Sequence, residues 1–202
     1  MKSEPMKSAN VRMAELSLGM PLDNYECLSQ PLYDTVAYPE AGGSVYLFQN
    51  PVGAADKDFA DTNMFLGRRL PQNVLFIIDR ISVKLLNQGS HALSSAATRK
   101  FYNSGCMEFR IGAKNYATMA PIGDTRGDVQ SPEISILFDK TGPHVALSGS
   151  SGAEPTPFTL EPNNLLLVPN QSFCLTLSRL KPLHTPARIH AKLFGTLCRQ
   201  TQ

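Results

Sequence analysis

From Pro31 onward the chain interrupts itself every 10 to 20 residues with Gly, Pro, Asn or Asp, and the runs between are short and rich in β-branched and aromatic residues. This spacing constrains the fold most. Parallel strands need a long crossover between them, usually a helix, and no amphipathic helical pattern separates these runs; antiparallel strands need only turns. The longest run covers 73–85, and in its second half Ile81, Val83 and Leu85 face one way while Arg80, Ser82 and Lys84 face the other. That is the period of a strand with one buried face. Cys106-Met-Glu-Phe-Arg-Ile111 alternates in the same way, and Gly112-Ala113 followed by 114–119 predicts a hairpin with a tight turn. Runs at 44–49, 133–138, 144–147, 165–168, 173–177 and 189–198 bring the total to eight or nine strands, with one helix or ordered loop over 90–99.

A chain of 202 residues suits one domain of this kind, and with 42% hydrophobic and 18% charged residues it has the material for a core. The expected fold is all-β: an antiparallel β-sandwich over 31–202, with a single jelly roll of about eight strands as a standard solution. Two long loops, 50–69 and 121–132, fall at its ends, and Gly149-Ser-Ser-Gly152 reads as flexible loop. Residues 1–30 read as an N-terminal arm with at most a short helix over 11–18. Its weak apolar content means that it either frays or gains order by lying on a neighbour.

No chemistry announces itself. Cys27, Cys106, Cys174 and Cys198 are widely spaced and form no metal-binding pair, so they read as reduced thiols in a protein made in the cytoplasm, with two disulfides as the alternative. The first twenty residues lack the apolar core of a signal peptide, and no run approaches the length of a membrane span. His91, His144, His184 and His190 are isolated from one another, which argues against a metal cupin. Neither a nucleophile elbow nor a phosphate-binding loop is present. Asp56, Asp58 and Asp61 alternate as calcium ligands can, yet lack the accompanying Gly and Glu; they read as solvated acids, with Asp61 or Thr62 capping a short helix. Arg126-Gly-Asp128 and the sequon at Asn170 are short enough to arise by chance. These absences predict a protein without catalysis, metal or cofactor.

The formal net charge of +2 creates no strong field, but it is unevenly distributed. From Pro162 to the end there is no Asp or Glu, while Arg179, Lys181, Arg188, Lys192 and Arg199 make a candidate basic face. On a strand Lys192 shares its side with His190, Phe194 and Thr196; such a face is either simply solvated or meets phosphates without reading bases. Tyr25, Leu28, Tyr33 and Tyr38 are candidate assembly contacts, with packing on their own domain as the alternative.

Four phrases run in order along the chain: Ala60-Asp-Thr-Asn-Met64 with Leu70-Pro-Gln-Asn73, Phe109-Arg-Ile-Gly-Ala-Lys-Asn-Tyr116, Leu167-Val-Pro-Asn-Gln-Ser-Phe173 and Leu193-Phe-Gly-Thr-Leu-Cys-Arg199. Together they resemble structural proteins of tailless icosahedral bacteriophages. The resemblance implies a jelly-roll capsid subunit located in the virion, forming trimers, pentamers or hexamers within a shell. Its partners would be copies of itself, other virion proteins and, non-specifically, the packaged genome. Double jelly-roll shell proteins are longer than this chain, so a single jelly roll is implied, in a major, vertex or spike-base role. The competing expectation is a carbohydrate- or ligand-binding, lectin-like sandwich, which the absence of Trp disfavours.

Overall fold

The alternating segments form two antiparallel sheets packed face to face. The computed structural model describes residues 9–87, 95–119, 133–139, 142–148, 156–157 and 165–201. In chain order the elements are α1 (Ala9–Leu18), β1 (Tyr25–Ser29), β2 (Leu32–Ala37), β3 (Gly43–Leu47), β4 (Val74–Asn87), α2 (Ser95–Tyr102), β5 (Cys106–Ile111) and β6 (Lys114–Met119). They continue with β7 (Glu133–Asp139), β8 (Gly142–Ser148), β9 (Thr156–Pro157), β10 (Leu165–Leu167), β11 (Phe173–Leu180) and β12 (Ala187–Gln200).

The larger sheet is built on β4 and β12, each 14 residues long and paired from Ala187↔Asn87 to Arg199↔Val74. Beyond β12 lie β2, along its first half, and β1, along its second half. Beyond β4 lie β10 and β7, and then β8 and β9. The smaller sheet runs β3-β11-β5-β6. Four pairings are nested: β2 with β12, β3 with β11, β4 with β10, and β5 with β6. The chain thus behaves as one long hairpin, folded over so that alternate pairs fall in opposite sheets.

The core between the sheets contains Phe48, Phe76, Phe109 and Phe173, with Phe173 5.7 Å from Phe48 and 6.5 Å from Phe109 between ring centroids. One irregularity keeps β4 in phase with it. Ile78 faces Gly195 and Arg80 faces Phe194, leaving Asp79 as the extra residue of a bulge. Val74, Phe76 and Ile78 point inward before it, Ile81, Val83 and Leu85 after it. Gly195 sits opposite, where a Cβ would lie 1.9 Å from the Ile77 carbonyl oxygen, so no other residue fits without moving the strand.

The bulge also divides the outer face of this sheet. Leu75 and Ile77 point away from the core but are covered by α1, in a second cluster with Val11, Ala14, Leu22 and Cys198. The first half of β4 is therefore apolar on both sides, and its sequence runs Val-Leu-Phe-Ile-Ile without alternation. Residues 9–29 accordingly lie on the chain's own sheet.

Several expectations are corrected. The strands begin at Tyr25, not near 44: β1 and β2 were not expected, because Glu26 and the buried Asp34 break their apolar patterns. Where a helix or ordered loop was expected over 90–99, the helix α2 starts at Ser95 and runs on to Tyr102, with Phe101 and Tyr102 fully buried. Residues 88–94, the loop 121–132, Arg126-Gly-Asp128 and 149–152 lie outside the described residues. Among the described residues no helix is long and apolar enough to cross a membrane.

The cysteines are not all reduced. Cys27 and Cys198 are register partners on β1 and β12 and form a disulfide, while Cys106 and Cys174 are free. Residues 171 apart in sequence become neighbours because the two ends of the chain pair antiparallel, a proximity that spacing does not reveal. The Cys174 thiol pKa is raised, chiefly by desolvation, which suppresses its thiolate. A thiol-reactive dye applied to denatured, unreduced protein is expected to count two free thiols, Cys106 and Cys174, and four after reduction. Four before reduction would remove the disulfide.

Candidate functional site

The loop spanning 50–69 has little regular structure of its own, yet it is tied down at several points. Asp34 on β2 is completely buried; its carboxylate accepts the Phe48 N–H at 2.6 Å and the Lys57 ammonium at 2.5 Å. The Lys57 side chain is itself only 9% exposed. Desolvation raises the Asp34 pKa, against the opposing pull of Lys57 and of the hydrogen bonds from Phe48 and Thr62. Phe48 has φ 63, a conformation rarely adopted by L residues, and is held there by Asp34 on its N–H and by the Arg68 N–H on its carbonyl.

Next to this ion pair, the loop covers the free edge of β2. Asn63 accepts the Tyr33 N–H at 2.9 Å and donates to the Pro31 carbonyl at 2.8 Å, while the Thr62 hydroxyl donates to the Tyr33 carbonyl at 3.0 Å. Two of the acidic trio turn out to be structural. Asp58 accepts the Ala60 N–H at 2.7 Å and so caps the turn, the role expected of Asp61 or Thr62. Asp61 pairs with Arg188 instead, and Asp56 is exposed. What this rigid frame displays is apolar: Phe59 and Phe65 are 61% and 66% exposed, with ring centroids 6.3 Å apart in an edge-on arrangement.

The four candidate assembly contacts separate. Tyr38 is buried in the main core, and its hydroxyl donates to the Lys181 carbonyl at 2.5 Å. Tyr25 packs against the cluster under α1. The Tyr33 hydroxyl donates to the Phe59 carbonyl, and its ring lies 6.1 Å from that of His190. Leu28 alone is strongly exposed, on a strand with no further partner on its open side among the described residues. Phe59 and Phe65 were missed because an aromatic in an irregular loop carries no periodicity to mark it as exposed.

The five candidate cations do not form one face. Arg188 and Lys192 lie together on the outer side of the larger sheet, since Ile189, Ala191 and Leu193 point into the core. Arg179, at φ 57, and Lys181 are on or just after β11, and Arg199 is at the far end of β12. The companions of Lys192 come instead from β4: the register sets Ser82 beside Lys192, Lys84 beside His190 and Arg80 beside Phe194. The alternation of 80–85 already put Arg80 and Lys84 on one side; strand pairing, invisible in the sequence, joins that side to β12. His184 is exposed on a loop, and among the described residues no three His, Cys, Asp or Glu side chains converge as metal ligands.

Replacing Lys57 with Met leaves the Asp34 charge buried and unpaired, at an expected cost of about 3–5 kcal/mol in urea unfolding at neutral pH. A carboxyl whose folded pKa lies above its unfolded value gains stability when protonated. The deficit of K57M therefore shrinks as pH falls through the folded pKa of Asp34; a deficit that grows on acidification would contradict this clamp. Burial pushes the Tyr38 phenol from 10.0 to about 12. Unfolded Tyr38 ionises first, so its contribution is intact below pH 10 and is lost as pH rises towards 12. Ultraviolet titration is expected to show a late-titrating phenol that Tyr38→Phe removes.

No protein-family model matches the chain, and no curated protein matches its sequence.

Proposed function

We propose that this chain is a structural subunit of a virion, a capsid protein that assembles with copies of itself through loop, arm and sheet-edge contacts, without catalysis. The observation that carries the reading is the Phe59–Phe65 pair: two largely exposed aromatic rings on a loop anchored by a buried ion pair. An isolated subunit gains nothing from holding such rings in water. A loop already rigid before contact loses little entropy when it docks, and aromatic anchors of this kind dominate interface energies.

The nested strand order supports the scaffold half of the proposal. Eight strands paired first with last, and divided between sheets in the orders β2-β12-β4-β10 and β3-β11-β5-β6, favour reading the sandwich as a jelly roll. The strands β7, β8 and β9 are then an excursion between the fifth and sixth strands of the roll, rejoining beside β10 on β4. Among the described residues, the open edge at β1, with Leu28 exposed, and the edges at β3 and β6 offer further unpaired backbone. Head-to-tail use of such surfaces gives closed rings, the building blocks of a shell.

Light scattering on the purified protein at micromolar concentration is expected to show trimers, pentamers, hexamers or larger particles. The double variant Phe59→Ser/Phe65→Ser should keep its far-ultraviolet circular dichroism and lose assembly, with association weakened at least about tenfold. A wild-type protein that stays monomeric across salt and pH would end the proposal.

A further inference from the structure

The outer face of the larger sheet is apolar and covered where α1 lies on it, and polar beyond the bulge. This second half has an unusual composition. Across its rows the register gives Leu137, Arg80 and Phe194; then Ser135, Ser82, Lys192 and Tyr33; then Lys84, His190 and Thr35; then Leu86, Arg188 and Ala37. None of these is acidic. A solvated sheet face ordinarily sets opposite charges across from one another, because such pairs stabilise the ladder. Acids sit round its rim: Asp79, the extra residue of the bulge, falls on this side beside Arg80, Asp61 pairs with Arg188, and Glu133 lies one residue beyond the paired stretch of β7.

Within that rim the face carries basic residues and no acid. Among the described residues neither Arg80 nor Lys192 has an ion-pair partner. The Arg80 guanidinium lies over the Phe194 ring, 3.9 Å from its centroid, and its Nε is buried without a hydrogen bond. Rings and cations interleave: Phe194, His190 and Tyr33 alternate with Arg80 and Lys192. The His190 Nδ1, 2.8 Å from the Thr35 hydroxyl, fixes one of these rings.

We propose that this face, centred on Arg80, Lys192, Phe194 and Tyr33, binds single-stranded nucleic acid without regard to sequence. Arg80 and Lys192 are diagonal neighbours across β4 and β12, roughly 7–8 Å apart at their backbones. That spacing is comparable to the distance between phosphates of an extended single strand. Aromatic rings and arginine planes accept the exposed faces of any base, whereas a duplex hides those faces. With a formal net charge of only +2, long-range attraction is weak, so binding depends on these local contacts and is steeply salt-dependent. The inference does not require that the chain form a shell, since a single subunit carries the whole face.

The test is fluorescence anisotropy with a labelled oligothymidylate, a matched duplex and phosphatidylglycerol vesicles, using wild type and the Phe59→Ser/Phe65→Ser variant. Both proteins are expected to bind oligothymidylate alike and at least about tenfold more tightly than duplex. Arg80→Gln/Lys192→Gln should weaken oligothymidylate binding by about tenfold or more and reduce the salt slope by about 1.4, two contacts at about 0.7 each. Asp61→Asn, which removes the acid beside Arg188, should tighten binding by about two- to fivefold. An unchanged affinity and slope in the Arg80/Lys192 variant overturns the proposal, as does duplex binding that equals single-strand binding. Binding to vesicles but not to oligothymidylate overturns it too and makes the face a membrane contact. Loss of binding only in the Phe59/Phe65 variant overturns it in favour of a site formed by assembly.

Discussion

The pairing of β4 with β12 is the interaction on which the remaining structure depends. These two strands, 14 residues each, run the full width of the larger sheet. Each carries two shorter strands end to end on its free side: β2 and β1 on β12, and β7 and β10 on β4. A slip of one residue between them would turn Ile81, Val83 and Leu85 outward and expose Arg80, Ser82 and Lys84 to the core. The register is held by a shape constraint as well as by the apolar pattern. The Asp79 bulge needs an opposing residue without a side chain, and only Gly195 on β12 supplies one there.

That constraint explains what the sequence could and could not reveal. Where one face of a strand meets core and the other meets water, as at 81–85 and 106–111, alternation was plain and the strands were anticipated. Where both faces are buried, as at 74–78, alternation disappears, and the sequence alone gave no reason to place α1 over Leu75 and Ile77. β2 failed differently. Its Asp34 interrupts the apolar pattern because it points into the protein to receive Lys57, a residue 23 positions away. Long-range partners also account for the disulfide and for the division of the basic residues. Neither the Cys27–Cys198 contact nor the meeting of Arg80 with Phe194 exists until the two ends of the chain are brought together with β4.

The buried Asp34–Lys57 pair deserves its place on grounds other than stability. Desolvating two charges offsets most of what their attraction contributes, and an apolar pair of similar volume often does as well. An apolar pair, however, would not fix the direction of the loop. The carboxylate simultaneously accepts the Phe48 N–H, holding that residue at positive φ where the chain leaves β3, and draws Lys57 inward from the middle of the loop. Asn63 and Thr62 then fasten the returning chain to β2. Twenty residues without helix or strand are thereby given one conformation, and Phe59 and Phe65 a fixed position.

Loop and sheet face are also mechanically connected. The Tyr33 hydroxyl reaches the Phe59 carbonyl, and Arg188 reaches Asp61, so the loop bearing the exposed rings rests on the margin of the basic face. A partner gripping Phe59 and Phe65 would press on the same loop that supplies the face with its neighbouring acid. The Asp61–Arg188 pair is partly exposed and adds little to the loop's hold on the sheet. The firmer ties are those to β2, where the Tyr33 backbone is bonded by Asn63 and Thr62 and its hydroxyl by the Phe59 carbonyl. The loop is thus fixed by its contacts with a sheet edge, and its position does not depend on any one surface charge.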